Sequence, residues 1–121
     1  MRCLIVDDRP SFCEAARDLL EGQGVTVVGF ATSTAEALRS VRELRPEVAL
    51  VDIDLGADSG FDLARRLAED VDGSAPRVIL VSTHDEREFV SLIESSPAVG
   101  FLAKTDLSAE RIYQLLDRTD R

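Results

Sequence analysis

Four apolar runs in this chain end on side chains able to do chemistry. Cys3-Leu4-Ile5-Val6 runs into Asp7 and Asp8, and Val48-Ala49-Leu50-Val51 into Asp52. Val78-Ile79-Leu80-Val81 runs into Ser82, and Ala98-Val99-Gly100-Phe101-Leu102-Ala103 into Lys104. Gathered together, three carboxylates repel: each like-charge pair costs ~1 kcal/mol in water and ~4 kcal/mol near a protein surface. A divalent cation relieves that repulsion. The His and Cys ligands favoured by zinc are missing from this set. Oxygen donors, one or two carboxylates and a phosphate are what Mg2+ takes, along with waters. The chemistry that fits is phosphoryl handling. Asp52 is the natural nucleophile, because carboxylates form aspartyl-phosphates. Lys104 would neutralise phosphoryl charge, and the Ser82 hydroxyl would donate to a phosphoryl oxygen.

For these groups to meet, the elements carrying them must end at one edge. The four runs, with Val25-Thr26-Val27-Val28-Gly29-Phe30, read as five strands. Between them lie helical patterns. Pro10 suits a first turn before Phe12, Ala15, Ala16, Leu19 and Leu20, and Gly22 and Gly24 stop that helix. Ser33 with Glu36 reads as a capping box opening a helix through Leu44, ended by Pro46. Asp58-Ser59-Gly60 reads as a turn, with Ser59 capping a helix through Val71. A weaker helix runs through Glu88, Phe89, Leu92 and Ile93 to Pro97, and a last one is capped by Asp106 or Ser108. Near-continuous apolar strands joined by helical crossovers imply a parallel sheet covered on both faces. The expected class is α/β: a flavodoxin-like, doubly wound (βα)5 fold with a five-stranded parallel sheet in the order 2-1-3-4-5. Its switch point lies between strands 1 and 3, outside their carboxyl ends, where Asp7, Asp8, Asp52, Ser82 and Lys104 all arrive.

Composition narrows the partners. The 121 residues suit one domain, and 23 acidic against 14 basic residues give a formal charge of -9. That balance argues against nucleic-acid binding by this segment, since phosphate contacts need clustered Lys and Arg. Cys3 and Cys13 show no metal spacing and suit a reducing compartment. No apolar run has transmembrane length and no signal peptide is visible, so a cytoplasmic location without membrane attachment is expected.

Ile5-Val6-Asp7-Asp8, Val51-Asp52 with Gly60 eight residues on, Val81-Ser82 and Gly100-Phe101-Leu102-Ala103-Lys104 follow in order at successive strand ends. As a set they resemble the receiver domain of bacterial two-component response regulators. The resemblance covers essentially the whole chain, 1–121, as a single receiver domain. It implies that Asp52 takes a phosphoryl group from the phosphohistidine of a histidine kinase or phosphotransfer protein. It implies Mg2+ held by Asp7, Asp8, Asp52 and the backbone carbonyl of Asp54, with Ser82 and Lys104 on the phosphoryl group. Phe101 falls at the switch aromatic position, coupled to Ser82. The face of helix 4, strand 5 and helix 5 would then change its preference for an output domain or downstream protein, in many relatives a transcriptional one. Self-phosphorylation and slow self-dephosphorylation are the only reactions implied, so no enzyme is expected. A homodimer formed on phosphorylation is compatible with the sequence, which does not decide it.

Departures from the family pattern fall beside the nucleophile. Thr83 stands where a very small residue is usual, and its side chain would narrow phosphoryl access. Gly56 replaces a common Pro and should make the loop after Asp52 freer. Asp54 and His84 occupy positions that tune dephosphorylation in the family: a further carboxylate should discourage anionic donors, and an imidazole can orient a water. Thr105 follows Lys104 where Pro is common, as in receivers that precede helix-turn-helix DNA-binding domains; none lies within these residues.

Singly, each residue has a plainer reading: a solvated turn for Asp7-Asp8, a strand-end hydrogen bond for Ser82, a snorkelling Lys104, a core Phe101. Two other functions compete. One is a receiver-like interaction module that works without phosphorylation. The other is a haloacid-dehalogenase-like phosphatase, because Asp52-Ile53-Asp54 has that family's D-x-D form. Those enzymes place the motif after the first strand and carry a late acidic pair. Here it follows the third strand, and no such pair follows Lys104.

Overall fold

A computed structural model describes residues 1–69, 75–83 and 86–119. Among the described residues there are seven strands and five α-helices. The strands are β1 (Arg2–Val6), β2 (Thr26–Ala31), β3 (Val48–Asp52), β4 (Asp54–Leu55), β5 (Asp58–Ser59), β6 (Arg77–Ser82) and β7 (Gly100–Ala103). The helices are α1 (Pro10–Gly22), α2 (Thr34–Leu44), α3 (Gly60–Ala68), α4 (Val90–Ser95) and α5 (Ala109–Thr119). The main sheet runs β2-β1-β3-β6-β7, all parallel. With the short β4-β5 hairpin set aside, this is the expected order 2-1-3-4-5.

The alternation of each strand divides the core in two. Leu4, Val6, Ala49, Val51, Val78, Leu80 and Phe101 face α2 and α3. Cys3, Ile5, Val48, Leu50, Ile79, Val81 and Leu102 face α1 and α5. The run Val48–Asp52 is buried throughout, because a central parallel strand is covered on both faces. Register brings the strand ends level: Val6 pairs with Val51, Asp52 with Val81, and Ser82 with Ala103.

Local chemistry sets the helix ends. The Ser33 hydroxyl accepts from the Glu36 amide at 3.2 Å, while the Glu36 carboxylate turns to the Thr32 hydroxyl, so the capping box is made in one direction. α2 ends on Arg45 at φ 47°, a left-handed residue before Pro46. Ser108, rather than Asp106, caps α5: its hydroxyl accepts from Arg111 N at 3.1 Å, and residues Lys104–Asp106 form a 3-10 turn.

Three details differ from the sequence reading, and one expectation falls beyond the described residues. The helix after β6 begins as a 3-10 turn (Glu86–Phe89) and continues as the six-residue α4. The last strand starts at Gly100 rather than Ala98. The expected end of the third helix at Val71 lies outside the described residues. The expected turn at 58–60 belongs to an ordered hairpin, Asp54 pairing with Ser59 and Leu55 with Asp58. Among the described residues, no helix is long and apolar enough to cross a membrane.

Candidate functional site at the carboxyl edge of the sheet

Asp7 follows β1 and is fully buried; Asp52 ends β3 with 5% exposure. Lys104 leaves the end of β7 and reaches both. Its Nζ donates to Asp7 Oδ2 at 2.7 Å and to Asp52 Oδ2 at 3.1 Å. The remaining carboxylate oxygens are held by backbone. Asp7 Oδ1 accepts from Arg9 N at 2.8 Å, and Asp52 Oδ1 accepts from Asp54 N at 3.0 Å. These bonds fix both carboxylates without filling the gap between them. Asp8 is exposed, yet carboxylate oxygens of Asp7, Asp8 and Asp52 all lie within 4.8 Å of one another.

One lysine facing two buried carboxylates leaves a charge imbalance. Burial pushes the Asp52 carboxyl above the usual carboxylate range, and the charge of Asp7 adds to it. The Asp54 amide and Lys104 act the other way and do not cancel it. Burial pulls the Lys104 ammonium down, but its bonds to Asp7 and Asp52 outweigh that and hold it above its ordinary value. The site therefore has a standing demand for more positive charge. Its donors are all oxygens, the set a hard divalent cation takes. Asp7, Asp8 and Asp52, with carboxylate oxygens within 4.8 Å of one another, would suit such a cation, Mg2+ among them.

Two glycines shape the rim. A Cβ on Gly60 would clash with the Asp52 carbonyl oxygen, so α3 starts directly against the backbone at the end of β3. Gly60 N also donates to Ile53 O at 2.8 Å. Gly56 has φ +71° at the first central position of the β4-β5 turn, where an L side chain is strained. Its amide donates to Asp54 Oδ1 at 3.3 Å. Gly56 thus sits in the turn of a short hairpin, Asp54 pairing with Ser59 and Leu55 with Asp58.

The other expected site residues are placed as follows. Ser82 is buried at the end of β6, paired in register with Ala103, the neighbour of Lys104. Alternation puts it on the side of Val78 and Leu80, the side on which Phe101 is also buried. Thr83 is exposed and lines a groove of about 480 Å3 with Arg9, Phe12, Lys104 and Leu107. Asp54 is exposed, with its amide on Asp52 and its carboxylate on the hairpin turn. His84 lies outside the described residues. The sequence reading missed Phe12, whose ring centroid lies 4.2 Å from Lys104 Nζ. It registered only as an apolar helical position, although its place in the first turn after β1 put it beside the site.

Residues 3–117 match the response regulator receiver domain family. Protein-glutamate methylesterase/protein-glutamine glutaminase 5 of Myxococcus xanthus is 35% identical over 118 residues, which cover 95% of this chain and 33% of that protein. The DNA-binding response regulator MtrA of Mycolicibacterium smegmatis is 38% identical over 96 residues, 78% of this chain and 40% of that one. The chain spans about a third to a half of the length of these curated relatives. Among solved structures, the signal receiver domain of a modulated diguanylate cyclase from Desulfovibrio desulfuricans G20 superposes with a TM-score of 0.77 at 31% identity, covering 97% of this chain and 90% of that one. A LuxR-family two-component response regulator from Aurantimonas sp. SI85-9A1 gives 0.80 at 29%, covering 96% and 82%.

Proposed function

The chain belongs to the response regulator receiver domain family, and we propose that Asp52 is its phosphoacceptor, charged by a histidine kinase or phosphotransfer protein. The observation that carries this is the Lys104 ammonium bridging two buried carboxylates from separate strands. A structural ion pair needs one carboxylate; a second, with a third close by, prepares a place for positive charge and phosphoryl oxygens.

In the proposed reaction an Asp52 carboxylate oxygen forms a bond to phosphorus as the P–N bond of a phosphohistidine breaks. The imidazole leaves with the electron pair and takes up a proton. Asp7, Asp8, Asp52 and the Asp54 carbonyl would hold Mg2+, which would supply Lewis-acid stabilisation of the phosphoryl charge. Lys104 neutralises a phosphoryl oxygen, the Ser82 hydroxyl donates to another, and Thr83 stands at the mouth. Phosphorylation replaces the single charge of the Asp52 carboxylate with a phosphoryl group carrying about 1.5 to 2 negative charges and strong acceptor oxygens. As Ser82 is drawn in, Phe101 on the same side of the adjacent strand responds, and the face of α4, β7 and α5 changes its affinity for an output domain or downstream protein. Transcriptional output and dimerisation on phosphorylation belong to this reading, as does action in the cytoplasm. The chain acts only on its own phosphoryl group, taking it up and slowly releasing it. Asp54 and His84 set the rate of release, so Asp54→Asn or His84→Ala changes the phosphoryl half-life.

Incubation with Mg2+ and acetyl phosphate, followed by intact mass, should add one phosphoryl group to the wild type and none to Asp52→Asn. Here the P–O bond of the donor breaks and acetate leaves. A wild type inert to both acetyl phosphate and a cognate kinase sinks the proposal and leaves an interaction module that works without phosphorylation.

A further inference from the structure

Lys104 has three N–H donors, and the carboxylates of Asp7 and Asp52 take two. The ammonium also lies over the face of Phe12, 4.2 Å from the ring centroid. Phe12 is half-buried in the first turns of α1, and it packs against the core on the α1-α5 face of the sheet. The ring also lines the groove that Thr83, Lys104 and Leu107 share. A leucine at this point would fill the space; only an aromatic face attracts a cation.

We propose that Phe12 is a positioning residue for phosphoryl transfer: its ring is the third partner of the Lys104 ammonium and fixes Nζ over the gap between Asp7 and Asp52. The inference rests on the phosphoacceptor reading of Asp52. A lysine side chain has four rotatable bonds, and an ammonium with one unpartnered donor is drawn outward by water. The ring removes that alternative without adding a competing acceptor. Lys104 is then already placed where phosphoryl charge arrives, so less ordering is left for the transition state.

The test compares Phe12→Leu with Phe12→Tyr in the full chain. With Mg2+ and acetyl phosphate, Phe12→Leu should slow phosphorylation about three- to tenfold, equivalent to about 0.7 to 1.4 kcal/mol. Phe12→Tyr, which keeps the π face, should restore the rate to within about twofold. NMR supplies a readout that packing alone does not move. The Lys104 Cε protons should show a ring-current shift in the wild type and in Phe12→Tyr, and lose it in Phe12→Leu. A Phe12→Leu chain that reacts at the wild-type rate after losing that shift overturns the inference. So does an equal loss of rate in both variants, which would assign Phe12 to packing. If Phe12→Leu fails to fold, the wild-type spectrum decides: no ring-current shift on Lys104 overturns the inference. A wild type that takes up no phosphoryl group overturns the phosphoacceptor reading as well, whereas the other failures leave that reading standing.

Discussion

Helices α1 and α4 pack on opposite sides of the same sheet, and both carry apolar residues at helical spacing. α1 runs for 13 residues from Pro10, with Cys13, Ala16 and Leu20 buried. α4 runs for six, follows a 3-10 turn, has no buried residue, and leaves Val90 and Leu92 exposed. α1 adjoins the groups that hold charge, since Asp7 and Asp8 precede it and Phe12 lies against Lys104. α4 belongs to the face proposed to change on phosphorylation. Beside the charged groups the sheet is covered by a well-buried helix, and on the side that carries α4 the cover is light, which favours local opening there.

The sharpest way to break this contrast is to remove a leucine from each helix. Leu20 is fully buried, and Leu20→Ala should cost about 2 to 5 kcal/mol in urea unfolding. Leu92 is 50% exposed, and Leu92→Ala should stay within about 0.5 kcal/mol. Similar losses at both sites would mean that α4 is as firmly held as α1.

The thiols offer a second contrast, because both buried cysteines pack on the α1-α5 face. Burial pushes Cys3 up to about 12 and Cys13 up to about 11 from 9.0. A group raised on folding contributes stability below its unfolded value and loses that contribution as pH climbs toward its folded value. Between pH 9 and 11, each thiol should therefore lower stability by about 1.4 kcal/mol per pH unit. Cys3→Ala should flatten the alkaline limb by about that slope, whatever it costs at neutral pH. An unchanged slope would show that the thiol ionises as readily in the folded chain as in the unfolded one.

A smaller effect is expected at the site. Asp52 is also raised on folding, by burial and then by Asp7. Its contribution is thus fully present below about pH 4 and is lost as pH rises through its folded value. At neutral pH its charge destabilises the fold. Asp52→Asn keeps the shape and leaves Lys104 paired with Asp7. It should gain about 1 kcal/mol at pH 7, a few degrees in Tm, with the gain shrinking toward pH 4. A loss of stability at pH 7 would show that the second lysine contact outweighs the repulsion.

How far the sequence foretold these features depends on where each one's cause lies. The strand order and the meeting of Asp7, Asp52 and Lys104 were readable, because parallel strands buried on both faces announce themselves as apolar runs and their ends share an edge. The β4-β5 hairpin was not. Asp54 to Ser59 has no alternation, and its order comes from Gly56 at positive φ and from Asp58, which accepts from Thr34 N at the start of α2. The weakness of α4 was only half visible, since spacing shows which residues are apolar and not whether anything covers them. The Phe12 contact was hidden because a ring that packs and a ring that binds a cation have the same spacing.

The gentlest test concerns the side of the sheet that α1 and α5 share. The Gln23 side chain, at the end of α1, accepts from Ala109 N at 2.7 Å at the start of α5. With Ser108 on Arg111 N, it satisfies part of the first turn of α5. Gln23 is exposed, so in Gln23→Ala water takes over the freed amide and the cost should be modest, about 0.5 to 1 kcal/mol. The effect should also be local. Hydrogen exchange in the first turn of α5 should speed up, while exchange in α4 stays as it was. Gln23→Glu should restore protection, because a carboxylate both accepts the bond and favours a helix N-terminus. If α4 quickens along with α5 in Gln23→Ala, then the α1 side also holds α4 in place, and the two sides of the sheet are less independent than their packing suggests.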